Sequence, residues 1–482
     1  MKSHLLSTGI EGLDKVLKGG LITDRFYLLR GGPGTGKTTL GLQFLIEGLE
    51  SEEKVLLVTM TEDIEKIKED GKKYGFPMDK LNCIDLSPKA DFVSENKDYD
   101  LFSSAQNEQK PLLKKLTQKI DELKPDRIFF DGFTQLKYLS SDDFKFRKQI
   151  LSFMQFVKKY NSTILLTSEA SVSNPDDDLQ FMVDGIINIL YEYQNHYLEI
   201  TKYRGSNFQR GKHTMKFKNN GIKIYPKLEL KKTKLDYETE VISFGVLEID
   251  ELLHGGIEKG TTTIISGPTG VGKTTLGTQF MKAAGDNDLR SIIYTFEENY
   301  KTLIKRSKSI KIPLKQLKND NKVFIEEITT LDYTPAEFAY KVSEDVKEND
   351  ISIVVIDSLT GYFLTFNNLN KMQKMIKGIH NLCEHLKAQG VTVLMINEQK
   401  MITGDFQATD TETSFIADNL IFLRYLEING RLKKAIGVLK KRMSGFENTL
   451  RNFEITGEGI KVGEPLKDLR GILSGNPEFI DK

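Results

Sequence analysis

The sequence predicts an α/β fold built from two tandem copies of one domain, each with a mainly parallel sheet flanked by helices. Two observations support this prediction. The glycine-rich segment Gly31–Thr38 recurs as Gly267–Thr274, and their lysines lie 236 residues apart (273 − 37 = 236). Apolar strand-like segments also alternate with helix-like segments in both halves, which is the pattern of a parallel sheet covered by helices.

The repeat also sets the domain boundaries. Asp14 and Asp250 show the same spacing (250 − 14 = 236), and 482 residues exceed what one hydrophobic core usually holds. The lysine-rich run 231–234 suits a solvated linker between the copies. We therefore predict a first domain at residues 1–228, a linker at 229–239 and a second domain at 240–482 with the C-terminal segment.

Strand signals occur at matching places in the two copies, and each copy closes with an antiparallel pair. The first copy is longer between its lysine and the next acidic strand end (131 − 37 = 94 against 357 − 273 = 84). We assign the difference to a surface insertion within Ser87–Lys110. In the second closing pair, Asn429-Gly430 predicts a two-residue turn. The predicted strands are Phe26–Leu29, Val55–Val58, Ile128–Phe130, Ile164–Leu166, Ile186–Leu190, Tyr197–Thr201, Thr262–Ile265, Ile292–Thr295, Ile353–Ile356, Val391–Ile396, Leu420–Leu426 and Ala435–Leu439.

Composition disfavours several classes of protein. Lys+Arg and Asp+Glu both number 68, so the chain lacks the basic field of non-specific nucleic-acid binders. No run of about 18 apolar residues predicts a membrane span, and no signal peptide is recognised. Cys83 and Cys383 are far apart and the histidines are scattered, which disfavours a zinc site and suits a reducing cytoplasm.

Both glycine-rich segments fit the phosphate-loop pattern G-x-x-x-x-G-K-[ST]. Such a loop turns its backbone N–H groups toward phosphate oxygens, and the following helix points its N-terminus at the same anion. The lysine neutralises the β- and γ-phosphates and the next hydroxyl binds Mg²⁺. The alternative is an ordinary strand–turn–helix. We predict an ATP and Mg²⁺ site in each copy, at Gly31, Gly32, Pro33, Gly34, Thr35, Gly36, Lys37, Thr38 and Thr39, and at Gly267, Pro268, Thr269, Gly270, Val271, Gly272, Lys273, Thr274 and Thr275.

A nucleotide hydrolase also needs carboxylates for the metal and for the attacking group. Asp131 and Asp357 each end an apolar strand and are predicted to join Thr38 and Thr274 at the magnesium, although such an aspartate can instead cap a turn. A base is offered in the second copy by the adjacent pair Glu297-Glu298. Acids at this place can also merely open a helix.

The first copy differs at the position of the base. The residues at the same offset are Thr61 and Glu62 (297 − 236 = 61), so the first carboxylate is missing. A threonine is not a base at neutral pH. Glu62 remains a candidate catalytic group, and hydrolysis in the first copy is left open.

The sequence resembles the KaiC family of RecA-like ATPases over nearly its whole length. The resemblance is carried by the doubled phosphate loop, the strand end Thr295–Glu298, the segment Ile356–Tyr362 and the opening Ser-x-Gly-x-x-x-x-Asp. It implies two RecA-like domains and a homo-hexamer with ATP between neighbouring subunits. In the clock proteins of this family the second ring also phosphorylates itself on a Ser-Thr pair.

The resemblance also implies roles for individual residues. Glu297 matches the catalytic base and Glu298 its partner. Lys440 and Arg442 match the Lys-x-Arg that reaches the neighbour's γ-phosphate, and the first copy has the corresponding pair Lys202 and Arg204. A Lys-x-Arg at a strand end puts both cations on one face, which suits a polyanion. Without the family context it would suit a solvated edge strand.

The chain departs from the family pattern at several points. Phe208 and Phe446 stand where the clock proteins have a histidine, and Ser414-Phe415 leaves one phosphoacceptor of the usual two. The sequence also ends soon after Pro477, without the long tail of the clock proteins. A role outside the full oscillator is therefore expected.

Three hypotheses follow for the function. The first is a cytoplasmic ring ATPase that signals to a protein partner and can phosphorylate itself at Ser414, or at Thr409, Thr411 or Thr413. The second is a DNA recombinase or helicase motor, which is disfavoured because the loops that would face DNA are acidic. The third is a nucleotide-switched scaffold whose first copy holds ATP with little turnover. The loop acids are Asp176, Asp177, Asp178, Asp405, Asp410 and Glu412.

Overall fold

The chain forms two compact units, residues 1–227 and 228–482. Leu228 packs against an apolar cluster of the second unit, and the predicted linker 229–239 remains a prediction because residues 230–239 lie outside the described part. The structure is a computed structural model that describes residues 5–87, 106–138, 143–169, 176–192, 194–229, 240–329, 333–365, 372–399, 413–428, 430–467, 469–470 and 478–479.

Each unit contains a nine-stranded sheet in which six neighbouring strands are parallel and three antiparallel strands follow at one edge. The strand that precedes the phosphate loop lies in the middle of the sheet. In spatial order the first sheet is Gly221–Tyr225, His213–Lys218, Asn195–Tyr203, Gly185–Glu192, Phe26–Gly31, Thr163–Glu169, Arg127–Asp131, Val55–Thr59 and Asn82–Asp85.

The second sheet repeats this topology. Its hairpin 419–441 is antiparallel, as the sequence predicts, and Ile428 pairs with Arg431 across the two-residue connection. Asn429 lies outside the described residues, so the turn itself stays a prediction. In spatial order the strands are Val323–Glu327, Ser291–Thr295, Ile353–Asp357, Thr392–Gln399, Thr262–Pro268, Asn419–Ile428, Arg431–Lys441, Arg451–Thr456 and Gly459–Pro465.

Helices cover both faces of each sheet, so consecutive strand residues are buried on opposite sides. In the second unit Ile265, Ile293 and Val355 belong to one apolar cluster, and Ile264 and Val354 to the other. This arrangement explains why the central strands are almost continuously apolar. The helices are Glu11–Val16, Lys37–Glu50, Ile64–Lys73, Gln106–Leu123, Gln135–Tyr138, Asp143–Val157 and Asp177–Met182, then Leu247–Leu252, Lys273–Asp286, Tyr300–Ser309, Leu314–Asn319, Pro335–Glu348, Leu359–Thr365 and Met372–Lys387.

The fold class and the predicted strands are confirmed, but the sequence underestimates the number of strands in each sheet. The parallel edge strands Asn82–Asp85 and Val323–Glu327 and the outer antiparallel hairpin of each sheet were not predicted. The predicted insertion Ser87–Lys110 lies largely outside the described residues, and its last five residues belong to the helix Gln106–Leu123.

Candidate active sites

The two phosphate loops lie at the carboxyl ends of the central strands, and each leads directly into a helix. The helices begin at Lys37 and Lys273. Lys37 Nζ donates to the Gly31 and Gly32 carbonyls at 2.8 and 2.9 Å, and Lys273 Nζ donates to the Pro268 carbonyl at 2.8 Å. Burial lowers the pKa of both lysines. Both cations are therefore drawn over their own loops at the helix N-terminus.

The last glycine of each loop is required by the backbone. Gly272 has a φ of 119° and Gly36 a φ of 97°, in the left-handed region that glycine tolerates without a steric cost. A Cβ on Gly272 would lie 2.5 Å from Ile455 Cδ1, and one on Gly36 would lie 2.6 Å from Phe217 Cζ. The outer hairpins of the sheets thus support the two loops.

The residues predicted to hold Mg²⁺ come together in both copies. Thr38 Oγ1 donates to Asp131 Oδ2 at 2.7 Å. In the second copy burial raises the pKa of Asp357 to about 6, and its hydrogen bond with Thr274 opposes that rise. A hydroxyl and a carboxylate beside a phosphate loop are oxygen donors of the kind that Mg²⁺ prefers.

The predicted catalytic pair of the second copy lies in a turn between a strand and a helix. Ser358 Oγ donates to Glu297 Oε1 at 2.7 Å. Glu298 Oε2 lies 2.8 Å from Arg306 Nη2. Burial raises the pKa of Glu298, and the positive charge of Arg306 opposes this rise. The two neighbouring carboxylates are therefore held by different partners.

These groups line one cavity of about 380 Å³. The phosphate-loop residues form one side, and the turn with the two glutamates and the acidic strand end form the other. Its lining is Thr269, Gly270, Lys273, Thr274, Glu297, Glu298, Asn299, Thr302, Arg306, Asp357, Ser358, Ile396 and Glu398.

The first copy places different groups at the equivalent turn. Thr61 packs on the turn after Asp131, where a Cβ on Gly132 would lie 2.5 Å from Thr61 Cγ2. Glu62 is partly exposed, and its carboxylate lies 3.7 Å from Lys66 Nζ. Its backbone N–H and carbonyl are bonded to the Thr59 hydroxyl. Glu62 thus has a surface partner, in contrast to the buried partner of Glu297.

The two Lys-x-Arg pairs lie far from the phosphate loops of their own sheets. Lys440 is in register with Leu420, which is in register with Ile264, three residues before Gly267. Three residues along the strand and two strand spacings across correspond to about 14 Å between Lys440 and Gly267. That distance exceeds the length of a lysine side chain. The first copy has the same register, because Lys202 pairs with Ile186 and Ile186 with Leu28.

Hydrogen bonds and ion pairs within each unit hold the residues of these Lys-x-Arg pairs. Lys440 Nζ donates to the Ser414 and Ala417 carbonyls at 3.1 and 2.6 Å, and Arg442 lies 3.5 Å from Asp418 Oδ1. Half of the Arg442 side chain is exposed. In the first copy Lys202 Nζ donates to the Gln180 carbonyl at 2.6 Å, and the Arg204 carbonyl accepts from Arg25.

Ser414, the predicted phosphoacceptor, is half-buried beside Lys440, whereas Thr409 and Thr411 lie outside the described residues.

One expectation about the acidic loops is corrected. Asp176 is not a solvated loop acid, because it is buried and bound by Arg30 through two contacts of 2.8 Å. Asp405, Asp410 and Glu412 lie outside the described residues.

The sites also contain several residues that the sequence motifs do not include. Glu169 is the last residue of the strand beside the first loop, and Glu398 is the last but one of the strand beside the second. Each opposes the lowered pKa of its loop lysine. Their common place at the end of the neighbouring strand is a signal that the repeat could have supplied. Tyr425 Oη and Lys434 Nζ donate to the Thr269 and Gly270 carbonyls at 3.3 and 3.1 Å.

In the part of the chain that the structure describes, no group of three or more His, Cys, Asp or Glu side chains could hold a metal ion by itself. Among the same residues, no helix is long and apolar enough to cross a membrane.

The doubled sheet topology, each copy with a phosphate loop and a strand-terminal aspartate bonded to the loop threonine, defines a tandem RecA-like P-loop NTPase. A family model described as the KaiC ATPase matches residues 6–229 and 242–467. The chain therefore belongs to the KaiC ATPase family.

Individual relatives match this chain over nearly its full length. The chain is 27% identical to the circadian clock protein KaiC3 of Synechocystis sp., over 98% of this chain and 94% of the relative. It is 26% identical to the circadian clock oscillator protein KaiC of Synechococcus elongatus, over 98% of this chain and 92% of the relative. It is 27% identical to the KaiC of Nostoc sp., over 98% and 91%.

Proposed function

We propose that the second copy hydrolyses ATP with Mg²⁺. The observation that carries this proposal is the hydrogen bond by which Ser358 holds the Glu297 carboxylate, in the cavity that also contains Lys273. A base held opposite a phosphate loop can take a proton from an attacking water. Mg²⁺ would be held at Thr274 and Asp357, where it neutralises phosphate charge.

The reaction follows from these positions. Water attacks the γ-phosphorus and gives its proton to Glu297. The bond between the γ-phosphorus and the β–γ bridging oxygen breaks, and its electron pair stays on the leaving ADP. Lys273 compensates the negative charge on the phosphates, while the N-terminus of the helix Lys273–Asp286 adds its dipole.

We propose that the first copy binds ATP and holds it. Its loop, lysine and magnesium ligands match those of the second copy, but Thr61 replaces the base and Glu62 pairs with Lys66 at the surface. Slow turnover at this site would keep nucleotide bound. The protein would then combine a holding site with a cycling site.

The distance of the cation pairs from their own loops supports a ring. Lys202, Arg204, Lys440 and Arg442 would complete the sites of a neighbouring subunit, as charge-assisted donors to its γ-phosphate. The expected assembly is a homo-hexamer. Ser414 lies beside Lys440 and would then approach the same neighbouring nucleotide, which supports self-phosphorylation at this serine.

The relatives named above are circadian clock proteins, and we propose a signalling or regulatory role in the cytoplasm for this chain, with a protein partner. A DNA motor is the weaker candidate. The zero net charge disfavours it. Binding of single-stranded DNA that weakens with salt would favour the motor.

Phosphate release from Mg·ATP tests the proposal. Wild type should release phosphate, Lys273→Ala and Glu297→Gln should lose most of this activity, and Lys37→Ala should retain most of it. The proposal for the first copy is wrong if Lys37→Ala removes the larger share of the turnover.

Assembly and self-phosphorylation need separate readouts. Native mass after ATP addition should show a hexamer. Intact mass should show an added phosphate that Ser414→Ala and Lys273→Ala abolish. An unchanged mass would confine the activity to hydrolysis.

A further inference from the structure

Arg306 is a cation inside the cavity of the second copy that the proposed reaction does not use. Its Nη2 atom is buried and lies 2.8 Å from Glu298 Oε2. The Arg306 side chain as a whole is 37% exposed and that of Glu298 is 19% exposed. Because partly buried ion pairs are less screened by solvent than surface pairs, this contact can fix the orientation of both side chains.

The helix that carries Arg306 is anchored at the turn that carries the glutamates. The helix is Tyr300–Ser309, and its cap residue Asn299 accepts from the Thr302 N–H at 2.9 Å. The Tyr300 N–H donates to Glu327 Oε1 at 2.8 Å. These contacts fix the start of the helix, and two turns later Arg306 lies on the side of the helix that faces Glu298.

The charges in the cavity show why a cation is needed there. Four carboxylates line it, and only Lys273 and Arg306 are cationic among its lining residues. Carboxylates that share a site disfavour one another's ionised form. Burial raises the pKa of Glu298, and the positive charge of Arg306 opposes that rise. The four carboxylates are Glu297, Glu298, Asp357 and Glu398.

In the first copy the counterpart of Glu298 is Glu62, which lies 3.7 Å from a lysine, Lys66, at the surface and not beside an arginine. Asp70 stands at the position of Arg306 (306 − 236 = 70), and its carboxylate bonds Lys73 at the surface. This is the same copy in which Thr61 replaces the base. The arginine and the base are therefore present together in one copy and missing together in the other.

We propose that Arg306 is a positioning residue for hydrolysis in the second copy: by holding Glu298, it fixes the turn that presents Glu297 to the attacking water. The inference rests on the proposed ATPase function of that site. Arg306 acts through Glu298 and does not itself bind the phosphates.

The first test compares Arg306→Gln with wild type in the full-length protein, with Mg·ATP as substrate. Misplacing a catalytic group by about 1 Å can cost about 100-fold in rate. We expect kcat to fall by about 10- to 100-fold, with KM changed less than about threefold. Arg306→Lys keeps a cation without the planar fork and should lie between the two. Lys305→Gln, at an exposed neighbour on the same helix, is the matched charge control and should behave as wild type.

The second test is a double-mutant cycle with Glu298→Gln. If Arg306 acts through Glu298, Arg306→Gln should cause no further loss of kcat in the Glu298→Gln background. A full further loss, or a tenfold rise in KM, would show a direct contact with the nucleotide and overturn the inference. Thermal unfolding of each variant separates these effects from loss of the fold, and Arg306→Lys supplies the measurement if Arg306→Gln does not fold.

Failure of this inference can be told apart from failure of the proposed function. If wild type releases no phosphate, the proposed function fails. If wild type is active, Glu297→Gln is inactive and Arg306→Gln keeps the wild-type kcat, the proposed function stands and the role of Arg306 is refuted.

Discussion

Replacing Ser358 by alanine tests the part of the site that fixes the base. The change removes the hydroxyl that donates to Glu297 Oε1 at 2.7 Å. A hydrogen bond to a charged group contributes about 1.5–3 kcal/mol, and about 1.4 kcal/mol corresponds to a factor of ten in rate. We therefore expect kcat to fall by about 10- to 100-fold, while KM changes little because the phosphate loop is untouched.

The assay is phosphate release at saturating Mg·ATP in a Lys37→Ala background, so that the second copy supplies the signal. Ser358 also accepts from the Gly361 N–H at 3.0 Å, so the melting temperature of the variant must be measured alongside the rate.

Ser343→Ala is the matched control. This serine is buried to a similar degree, and its hydroxyl lies 3.1 Å from His385 Nε2, outside the cavity lining. It should alter stability alone. If Ser358→Ala keeps kcat within about twofold of its parent, Glu297 does not depend on this hydrogen bond and the proposal that Ser358 fixes the base is wrong.

Three further predictions concern stability, packing and the first copy. Burial opposes ionisation of Asp176, but hydrogen bonds from its arginine, serine and glutamine partners outweigh it and lower its pKa. The ionised Asp176 therefore stabilises the fold above about pH 4, and this stabilisation is lost as pH falls through the folded-state pKa. Asp176→Asn should lower the free energy of unfolding by about 3 kcal/mol at pH 7, measured by chemical denaturation, and should make stability depend less on acid pH. Gly361→Ala places a Cβ 2.5 Å from Phe296 Cβ. The change should lower the free energy of unfolding by about 1–3 kcal/mol and should also lower kcat. Thr61→Glu in a Lys273→Ala background should raise phosphate release above that of its parent, because it restores a carboxylate beside an intact loop.

Each of these has an outcome that contradicts it. Asp177→Asn, at an exposed neighbour, is the control for Asp176, and equal losses from the two changes would remove the case for a buried ion pair. Gly361→Ala with wild-type stability and rate would mean that the helix can shift away freely. If Thr61→Glu gains nothing, the first copy lacks more than the base.

The sequence predicts the local parts of this protein well. A phosphate loop needs its glycines, lysine and threonine at fixed chain positions, so one pattern identifies the strand, the loop and the helix together. Asp131 and Asp357 are predictable for a similar reason, since each ends an apolar strand. The edge strands were missed because Asn82–Asp85 and Val323–Glu327 are short and only partly apolar.

Contacts between distant parts of the chain were decided by the tertiary structure. The sequence could assign Asp176 to an acidic loop, but its burial against Arg30 depends on the packing of segments 146 residues apart. Tyr425 and Lys434 reach the second phosphate loop because the closing hairpin lies next to the central strand. Neither contact has a signature in the local sequence.

By itself, the sequence determined the duplication, the two phosphate-loop motifs and the missing carboxylate at Thr61, because each of these is a matter of residue type at fixed spacing. The tertiary structure decided which partner holds each carboxylate, with Ser358 at Glu297 and Arg306 at Glu298. It also decided that Lys440 lies away from its own loop, since strand order and register set distances that spacing along the chain does not contain.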